Sequence, residues 1–410
     1  MSLSLFQVEE VRAQFPICNT LVNGHPLIYM DSAATTQKPK RVVEAMSRFY
    51  LHEYATVHRA IYGLSMEATA RYDAARSTVK EFIHAAHEDE IIFTRGTTDS
   101  INLVRFSFGG KYIHQGDEVI VSALEHHSNL VPWQMLCQEK GAKLRIIPVN
   151  DEGEIILEEY QKLLNERTKL VSIAHVYNTV GTINPVKEII ALAHEWGAKV
   201  LIDGAQAAAR IPIDVQDLDA DFYAFSGHKA YGPTGVGILY GKRDLLKEMP
   251  PVQGGGDMVD IVSLQHSTYK EAPLKFEAGT PMIAEVLGLQ EAIFFIEEVG
   301  IEEMQDYEEQ LLRHATGELE KIPGLRIYGT SKQKSAIIGF TVEGIHALDL
   351  GTLLDFRGIA IRTGSHCAHP AMERFGIDAM ARISFGIYNT EEEIAALISA
   401  LTEIIFRLRK

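Results

Sequence analysis

The sequence predicts an α/β protein with a large, mixed but mostly parallel sheet sandwiched by helices, followed by a smaller α+β domain. Between residues 90 and 205, short apolar runs alternate with amphipathic helical stretches. Such alternation is typical of a largely parallel sheet with helices on both faces. From residue 282 onward the pattern changes to two long helices and then to mixed strands and helices, which is typical of an α+β domain.

Five apolar runs predict the parallel strands of the large domain: EIIF (90–93), EVIVSAL (118–124), KLRIIPV (143–149), KLVSIAHV (169–176) and KVLIDGA (199–205). The helices between them are predicted in INLVRFSF, NLVPWQMLCQEKG, LEEYQKLLNE and PVKEIIALAHEWG, two of which end at a glycine. The block ADFYAFSGHKAYGPTGVGILYG then predicts two strands joined by a Gly/Pro-rich loop.

The small domain is predicted to follow a Gly-rich segment, VQGGGDM. Its elements are helices at roughly 282–298 and 302–321, then AIIGFTV, ALDLGTLLDFRG, IAIRTG, RISFGIYN and a last helix that Asn389 or Thr390 caps. We therefore expect a large domain over 30–285 and a small domain over 286–410, with residues 1–29 packed on the small one.

Composition excludes several classes of protein. A chain of 410 residues with 46% hydrophobic and 23% charged residues suits two globular domains, and its net charge of −16 argues against nucleic acid and anionic membranes as partners. Cys18, Cys137 and Cys367 form no CxxC pair, so neither a disulfide framework nor a metal site is expected. The amino end, MSLSLFQVEEVRAQF, lacks a signal-peptide pattern, and no apolar run is long enough to span a membrane. We expect a cytoplasmic protein.

Polar side chains follow the predicted strands at the sheet edge where ligands of such folds bind. Thr97 and Thr98 follow Gly96 at the start of a helix, where N–H groups suit a phosphate, although a simple helix cap is an alternative. Asp203 ends a very apolar strand and Gln206 lies three residues later. A buried carboxylate in such a place needs a cationic or N–H partner.

Three more strand ends carry reactive side chains. Ser226, His228 and Lys229 share a Gly-bounded turn, the pair His126 and His127 follows another strand, and Asn178 follows the next. A phosphate cradle, an acid, an imidazole and a lysine are together what pyridoxal phosphate requires. Nicotinamide and P-loop nucleotide sites are not expected, because the chain has neither GxGxxG after its first strand nor GxxxxGK[ST].

Cys367 lies in RTGSHCAHP, a loop that also carries an arginine and two histidines. A structural thiol is more typical of an apolar run, whereas a loop thiol beside cationic groups is the setting of a reactive thiolate. A chance surface cysteine is the alternative.

Seven motifs resemble the cysteine desulfurases of the class V aminotransferase family, in particular the group II, SufS-type enzymes. They are DSAATTQKP, TRGTTDSINLV, EHHSNLVPWQ, IDGAQAAAR, FSGHKAYGPTGVGILYG, KFEAGTP and RTGSHCAHP, and the resemblance extends from about residue 30 to the carboxyl end. It implies the fold type I of pyridoxal 5'-phosphate enzymes.

The resemblance also implies residue roles. Lys229 would hold the cofactor and move protons, Asp203 would pair with the pyridine nitrogen, Gln206 would bond the phenolic oxygen, and His126 would stack on the ring. The other cofactor-binding residues would be Thr97, Thr98, Ser226, His228 and, toward a partner subunit of a homodimer, Thr280. The substrate-binding residues would be Asn178, Arg362, Arg382 and, from a neighbouring subunit, His58 and Arg59.

The implied activity converts L-cysteine to L-alanine and leaves a persulfide on Cys367, whose sulfur passes to an acceptor protein for iron–sulfur cluster assembly. Because Leu348 stands where relatives that use a SufU-like acceptor tend to have a histidine, a SufE-like acceptor is favoured. The alternatives are a selenocysteine lyase, a class V aminotransferase or epimerase with an incidental Cys367, and a scaffold without cofactor. Tyr177, in HVYN, is expected to alter the rim of the pocket.

Overall fold

The computed structural model describes residues 7–409. Within this range no helix is both long and apolar enough to cross a membrane. The first elements are α1 (Val8–Arg12), β1 (Leu21–Val22), β2 (His25–Pro26), β3 (Ile28–Tyr29), α2 (Lys40–Arg48) and α3 (Gly63–Phe82). The first six residues of the predicted amino-terminal segment, and Lys410, lie outside the described residues.

The large sheet contains the strands that the apolar runs predict. They are β4 (Ile91–Thr94), β5 (Glu118–Ser122), β6 (Lys143–Ile147), β7 (Thr168–Ala174), β8 (Lys199–Asp203), β9 (Phe222–Ser226) and β10 (Gly237–Gly241). Their spatial order is β4-β10-β9-β8-β7-β5-β6, and β10 runs antiparallel to both of its neighbours while the other pairs are parallel. The predicted α/β class with a mixed, mostly parallel sheet is confirmed.

Helices cover the faces of this sheet. They are α4 (Thr97–Val104), α5 (Gly110–Tyr112), α6 (Val131–Lys140), α7 (Leu157–Leu163), α8 (Val186–Glu195) and α9 (Arg243–Glu248). The glycine that was predicted to end α6 is Gly141, whose φ of +68° is the left-handed conformation that favours glycine after a helix.

A short hairpin, β11 (Val259–Val262) and β12 (Ser267–Tyr269), precedes the two long helices α10 (Ile283–Val299) and α11 (Ile301–Leu319). The remaining elements are β13 (Leu325–Tyr328), β14 (Ile337–Val342), α12 (Ala347–Asp355), β15 (Ile359–Ala360), β16 (Arg362–Gly364), α13 (His369–Phe375), β17 (Met380–Ser384) and α14 (Glu391–Leu408). The Thr390 hydroxyl caps α14 by accepting a hydrogen bond from the Glu393 N–H at 3.3 Å, as the sequence predicts.

IAIRTG does not form the single strand that was predicted. Strand β15 pairs in parallel with β3, whereas β16 joins an antiparallel sheet of order β13-β14-β17-β16. The chain changes partners at Ile361, and periodicity alone cannot show such a change. The exchange ties the amino-terminal strand β3 to the small domain, and Arg12 adds an ion pair with Glu393 of α14 at 2.7 Å.

The apolar side chains gather around two sheets. One core contains the side chains of α11, α12, α14 and the antiparallel sheet, together with Met30. Two others lie on the large sheet, and α10 joins one of these by packing against α2 and α3. The division at residues 285 and 286 is a proposal, and the packing of α10 places most of that helix with the large sheet.

Candidate active site

A cavity of about 210 Å³ lies at the carboxyl ends of β4, β5, β7, β8 and β9, where β16 and the loop after it close over it. Most of the residues that the sequence singled out line this one cavity. They are Thr97, Thr98, His126, Asn178, Asp203, Gln206, Ser226, His228, Lys229, Arg362, Cys367 and Arg382. Residues separated by as many as 285 positions in the sequence are therefore brought together.

One end of the cavity is built from hydroxyl groups and a helix start. Ser226 Oγ accepts a hydrogen bond from the Thr97 N–H at 2.8 Å and lies 2.7 Å from Thr97 Oγ1. Thr98 Oγ1 lies 2.6 Å from the hydroxyl of Ser128, which the sequence did not single out. A side chain at Gly237 would approach the backbone of Gly96 to 2.3 Å, so this close approach of two strand ends requires glycine. The N–H groups and hydroxyls suit an anion.

Asp203 is buried at the end of β8. Its Oδ1 accepts a hydrogen bond from the Ala205 N–H at 2.9 Å, and among residues 7–409 no other hydrogen bond reaches this carboxylate. Burial raises its pKa, while the nearby Lys229 ammonium opposes that rise. A carboxylate oxygen is thus left available for a cationic N–H donor in the cavity. Gln206 also lines the cavity, and its Nε2 donates to the Ala33 carbonyl at 2.7 Å.

The turn that carries Lys229 is held by a segment to which the sequence analysis gave no role. The carbonyl oxygen of His228 accepts from the Thr36 N–H at 3.1 Å, the Thr35 hydroxyl at 3.0 Å and Lys38 Nζ at 2.8 Å. These donors belong to DSAATTQKP, which the resemblance quotes as a motif. They fix the peptide bond that precedes Lys229. The amine of Lys229 makes no hydrogen bond to protein within the described chain and is free to react in the cavity.

His126 is held as a neutral ring. Its Nδ1 accepts from the Ser128 N–H at 3.1 Å, so the hydrogen of the neutral ring is on Nε2. Burial, with the Lys229 charge second, lowers the pKa of His126 to about 3. A ring in this state can stack on a flat ligand and can donate a hydrogen bond through Nε2.

Arg382 and Arg362 form a pair of like charges. They are opposite each other in the register of β16 and β17, a placement that is unfavourable unless an anion compensates it. Arg382 is buried, with Nη2 bound to Asp31 Oδ1 at 2.9 Å and Nη1 to the Asn178 carbonyl at 2.9 Å, and its Nε is buried without a partner among the described residues. Asp31 is the first residue of DSAATTQKP and had no predicted role. One carboxylate for two guanidinium groups leaves a positive charge suited to a carboxylate ligand.

Cys367 lies in a loop of only four residues, 365–368, between β16 and α13. His366 and Cys367 have φ values of +54° and +56°, which are unusual for residues other than glycine and are typical of functional loops. The loop is tied to the large sheet because Asn178 Nδ2 donates to the His366 carbonyl at 2.8 Å. Cys367 lines the same cavity as Lys229.

His366 is buried, with Nε2 bound to the Met380 carbonyl at 3.1 Å. Burial lowers the pKa of His366 to about 3, so the ring is neutral beside the cysteine loop.

Tyr177 is also fully buried and bonds the Ser122 hydroxyl at 2.7 Å. The expectation that Tyr177 alters the rim of the pocket is therefore wrong.

Of the residues to which the resemblance gives a role, three do not line this cavity, and His127 does not line it either. Thr280 is exposed and faces an adjacent depression of about 850 Å³ that shares Thr97 and Thr98 with the cavity. His58 Nε2 bonds Asp73 at 2.9 Å, and Arg59 pairs with Asp257 at 2.7 Å. Their contribution to a neighbouring subunit stays a prediction.

Comparisons with known proteins agree with this geometry. Residues 28–397 match the family described as Aminotransferase class-V. The chain is 50% identical over 400 residues to a protein of Salmonella agona named cysteine desulfurase, covering 97% of this chain and 98% of that protein. A probable cysteine desulfurase of Mycolicibacterium paratuberculosis is 49% identical, with 98% of this chain and 58% of that protein covered. The chain spans 58% to 66% of the length of its mycobacterial and Synechococcus relatives.

A solved structure is similar over nearly the whole chain. The crystal structure of the cysteine desulfurase CsdA (S-sulfonic acid) from Escherichia coli has a TM-score of 0.92 and 40% identity, covering 98% of this chain and 100% of that chain.

Fold and site together define a pyridoxal phosphate-dependent enzyme of fold type I. The residues fit the cofactor, since a free amine and an available carboxylate oxygen share a cavity with an anion-binding helix start. The chain belongs to the class-V aminotransferase family. Lys229 would hold the cofactor, Asp203 its ring nitrogen, and Thr97, Thr98 and Ser226 its phosphate.

The enclosure of Lys229 leads to a testable pH dependence. Burial lowers its pKa from 10.5 to about 8, with Asp203 opposing and Arg382 adding to this effect. The amine is therefore protonated below pH 8 and neutral above it. In cofactor-free protein, acetylation by acetic anhydride, followed by peptide mass spectrometry, is expected to reach half its maximal rate near pH 8. Lys162, whose pKa Glu159 raises above 10.5, is the internal control. Parallel profiles for the two lysines would contradict the expectation.

Proposed function

We propose that this protein is a cysteine desulfurase that converts L-cysteine to L-alanine and carries the released sulfur as a persulfide on Cys367. The observation that carries the proposal is that Cys367 lines the same cavity as Lys229, although 138 positions separate them in the sequence. An aminotransferase or epimerase needs the lysine but has no use for a thiol there. The names of the relatives at about 50% identity support the same activity.

The substrate would be held by its carboxylate. Arg362 and Arg382 offer guanidinium N–H groups and an excess of positive charge, and Asn178 fixes Arg382 through its backbone carbonyl at 2.9 Å. When bound, the cofactor supplies an electron sink that weakens bonds at the α- and β-carbons of the substrate. Lys229 would take the α-proton: its amine lines the cavity, and a pKa lowered to about 8 makes a fraction of it neutral near physiological pH.

Sulfur transfer then depends on Cys367. The thiolate attacks the sulfur atom of the substrate, a sulfur–sulfur bond forms, and the carbon–sulfur bond breaks. The electron pair of that bond stays with the carbon, which becomes the methyl group of alanine after it gains a proton. His126 carries its ring hydrogen on Nε2 and is placed to donate to the substrate. The persulfide holds the transferred sulfur until a thiol acceptor attacks it.

Finer assignments follow from the loop and its surroundings. Four residues give the loop little reach, so we propose a group II, SufS-type enzyme that depends on an acceptor protein bringing its own cysteine. Leu348, 60% exposed at the start of α12, favours a SufE-like acceptor over a SufU-like one. We further propose a role in iron–sulfur cluster assembly by the SUF system, and a homodimer in which Thr280, His58 and Arg59 serve the neighbouring subunit.

Mass spectrometry tests the proposed function directly. After the protein with bound cofactor is exposed to L-cysteine without reductant, the peptide that contains Cys367 is expected to gain one sulfur atom, while the peptides of Cys18 and Cys137 do not. Both control thiols are buried, and burial raises the pKa of each.

Three outcomes separate the alternatives. Alanine formation without extra sulfur on Cys367 would remove the persulfide and contradict the proposal. Turnover of selenocysteine but not of cysteine, even with a thiol acceptor present, would identify a selenocysteine lyase. Transamination without alanine release would favour the aminotransferase.

A further inference from the structure

The second histidine of EHHSN has no part in the function proposed above, yet it contacts the Cys367 loop. The backbone N–H of His127 donates to the Cys367 carbonyl at 2.8 Å. The side chain of His127 makes a second contact: its Nε2 lies 3.2 Å from the backbone nitrogen of His369 and 3.0 Å from His369 Nδ1. One large-domain residue thus binds the loop at its cysteine and again two residues later, at the first residue of α13.

The geometry fixes the hydrogens of this contact. The backbone N–H of His369 can only donate, so His127 Nε2 accepts and carries no hydrogen. The two rings are parallel within 2°, with centroids 5.0 Å apart, and His369 Nδ1 lies 3.0 Å from the same nitrogen. The hydrogen bond from the His369 N–H occupies an amide at the start of α13 that has no partner within the helix.

The neighbouring residue gives this contact its position in the enzyme. His126 lines the cavity beside Lys229, whereas His127 binds the loop that carries the thiol. His126 and His127 are consecutive residues, the cap and the first residue of a 3₁₀ turn (His127–Asn129), and therefore fix the cofactor face and the thiol loop relative to each other. Asn178 makes the only other side-chain hydrogen bond from the large sheet to the backbone of residues 365–369 that the described chain shows.

We propose that His127 is a positioning residue that clamps the Cys367 loop over the cavity through its contact with His369. The inference rests on the proposed function, because a fixed thiol matters only if Cys367 takes part in the reaction. Two adjacent residues with φ near +55° do not hold themselves in this conformation, so the loop needs contacts from outside. His127 and Asn178 supply them at its two ends.

The variants His127→Phe and His127→Gln separate the acceptor nitrogen from the ring. Phe keeps a flat ring but cannot accept a hydrogen bond, whereas the Gln side-chain oxygen reaches the position of Nε2 and can accept. Both keep the backbone N–H that bonds Cys367. His369→Ala removes the partner ring but leaves the His369 N–H.

The measurements are made on the protein with bound cofactor. In His127→Phe we expect hydrogen exchange of the His369 amide to be about tenfold faster. We also expect alanine formation from L-cysteine with dithiothreitol to fall by roughly 10- to 100-fold, since small displacements of reacting groups are costly. His127→Gln is expected to restore most of both. His369→Ala is expected to lose part of the alanine formation that His127→Phe loses. The double variant, His127→Phe with His369→Ala, is expected to lose no more than His127→Phe alone.

Each contrary outcome overturns the proposal. Unchanged exchange of the His369 amide in His127→Phe would show that His127 Nε2 does not hold this amide. Equal losses of alanine formation in the Gln and Phe variants would show that the hydrogen-bond acceptor is irrelevant. A changed cofactor absorbance in His127→Phe would place the role of His127 at the cofactor instead. If the unaltered protein forms no alanine from L-cysteine, the proposed function fails, while amide exchange, which needs no substrate, still judges the clamp.

Discussion

Replacing Cys367 by serine is expected to abolish persulfide formation and to lower alanine release from L-cysteine by at least about 10³-fold, the order of loss seen when a nucleophile is removed. Serine fits the same space, and an alkoxide does not form near neutral pH without a strong base. The neighbouring imidazole of His366 is committed to the Met380 carbonyl through Nε2, and burial lowers the pKa of His366 to about 3, so it is a weak base.

Cys137→Ala is the matched control for this substitution. Cys137 is a buried thiol of α6, and burial raises its pKa to about 11. Its variant is expected to keep full alanine release and full labelling of Cys367, as measured by amino-acid analysis and peptide mass spectrometry. The cofactor absorbance of Cys367→Ser is expected to match that of the unaltered protein, because the loop is held by backbone carbonyls that the substitution keeps. Undiminished alanine release by Cys367→Ser would make the thiol incidental.

Much of the cavity could be predicted from the sequence because parallel strands end at one edge of a sheet. Asp203 ends β8, Ser226 ends β9, and His126 follows β5, so the alternation of strands and helices alone placed their side chains near one another. The chemistry of the residue types then indicated the cofactor. The position of Cys367 could not be predicted in this way, since its loop follows a strand of another sheet whose placement no local pattern predicts.

What the sequence did not show are the contacts that fix these groups. Asp31 binds Arg382, which lies 351 positions away in the sequence. Lys38 donates to the carbonyl of His228, which lies 190 positions away and directly precedes Lys229. Both residues lie in DSAATTQKP, which the resemblance includes, but neither has a spacing or composition that indicates its role, because that role arises only when distant segments pack together. The clamp of His127 on His369 is of the same kind: the doubled histidine was visible, but its partner was not.

Replacing Lys229 by alanine is expected to remove turnover and covalent attachment of the cofactor together. In the proposed function the amine takes the α-proton, and loss of a positioned base typically lowers a rate by about 10²- to 10⁴-fold. After borohydride reduction, mass spectrometry of the unaltered protein is expected to find the cofactor on the peptide containing Lys229. The alanine variant is expected to release it on denaturation.

Lys334→Ala is the control that separates chemistry from burial of an amine. Burial lowers the pKa of Lys334 to about 8, as it does for Lys229, but Lys334 donates to the Gly329 carbonyl and lies outside the active-site cavity. Its variant is expected to keep the cofactor and the activity. A colourless unaltered protein, whose colour and function do not change in Lys229→Ala, would instead support a scaffold without cofactor.

Misfolding is not expected to account for the loss in Lys229→Ala. The pKa of Lys229 is lower in the folded protein than in the unfolded chain, so below about pH 8 the buried ammonium disfavours folding, and this cost disappears as pH rises toward 10.5. Removing the amine is therefore expected to raise the unfolding temperature of cofactor-free protein at pH 7, and to raise it less at pH 10. A variant that is inactive yet more stable at neutral pH would show that folding tolerates Lys229 at a cost in stability, which is typical of a residue kept for its chemistry.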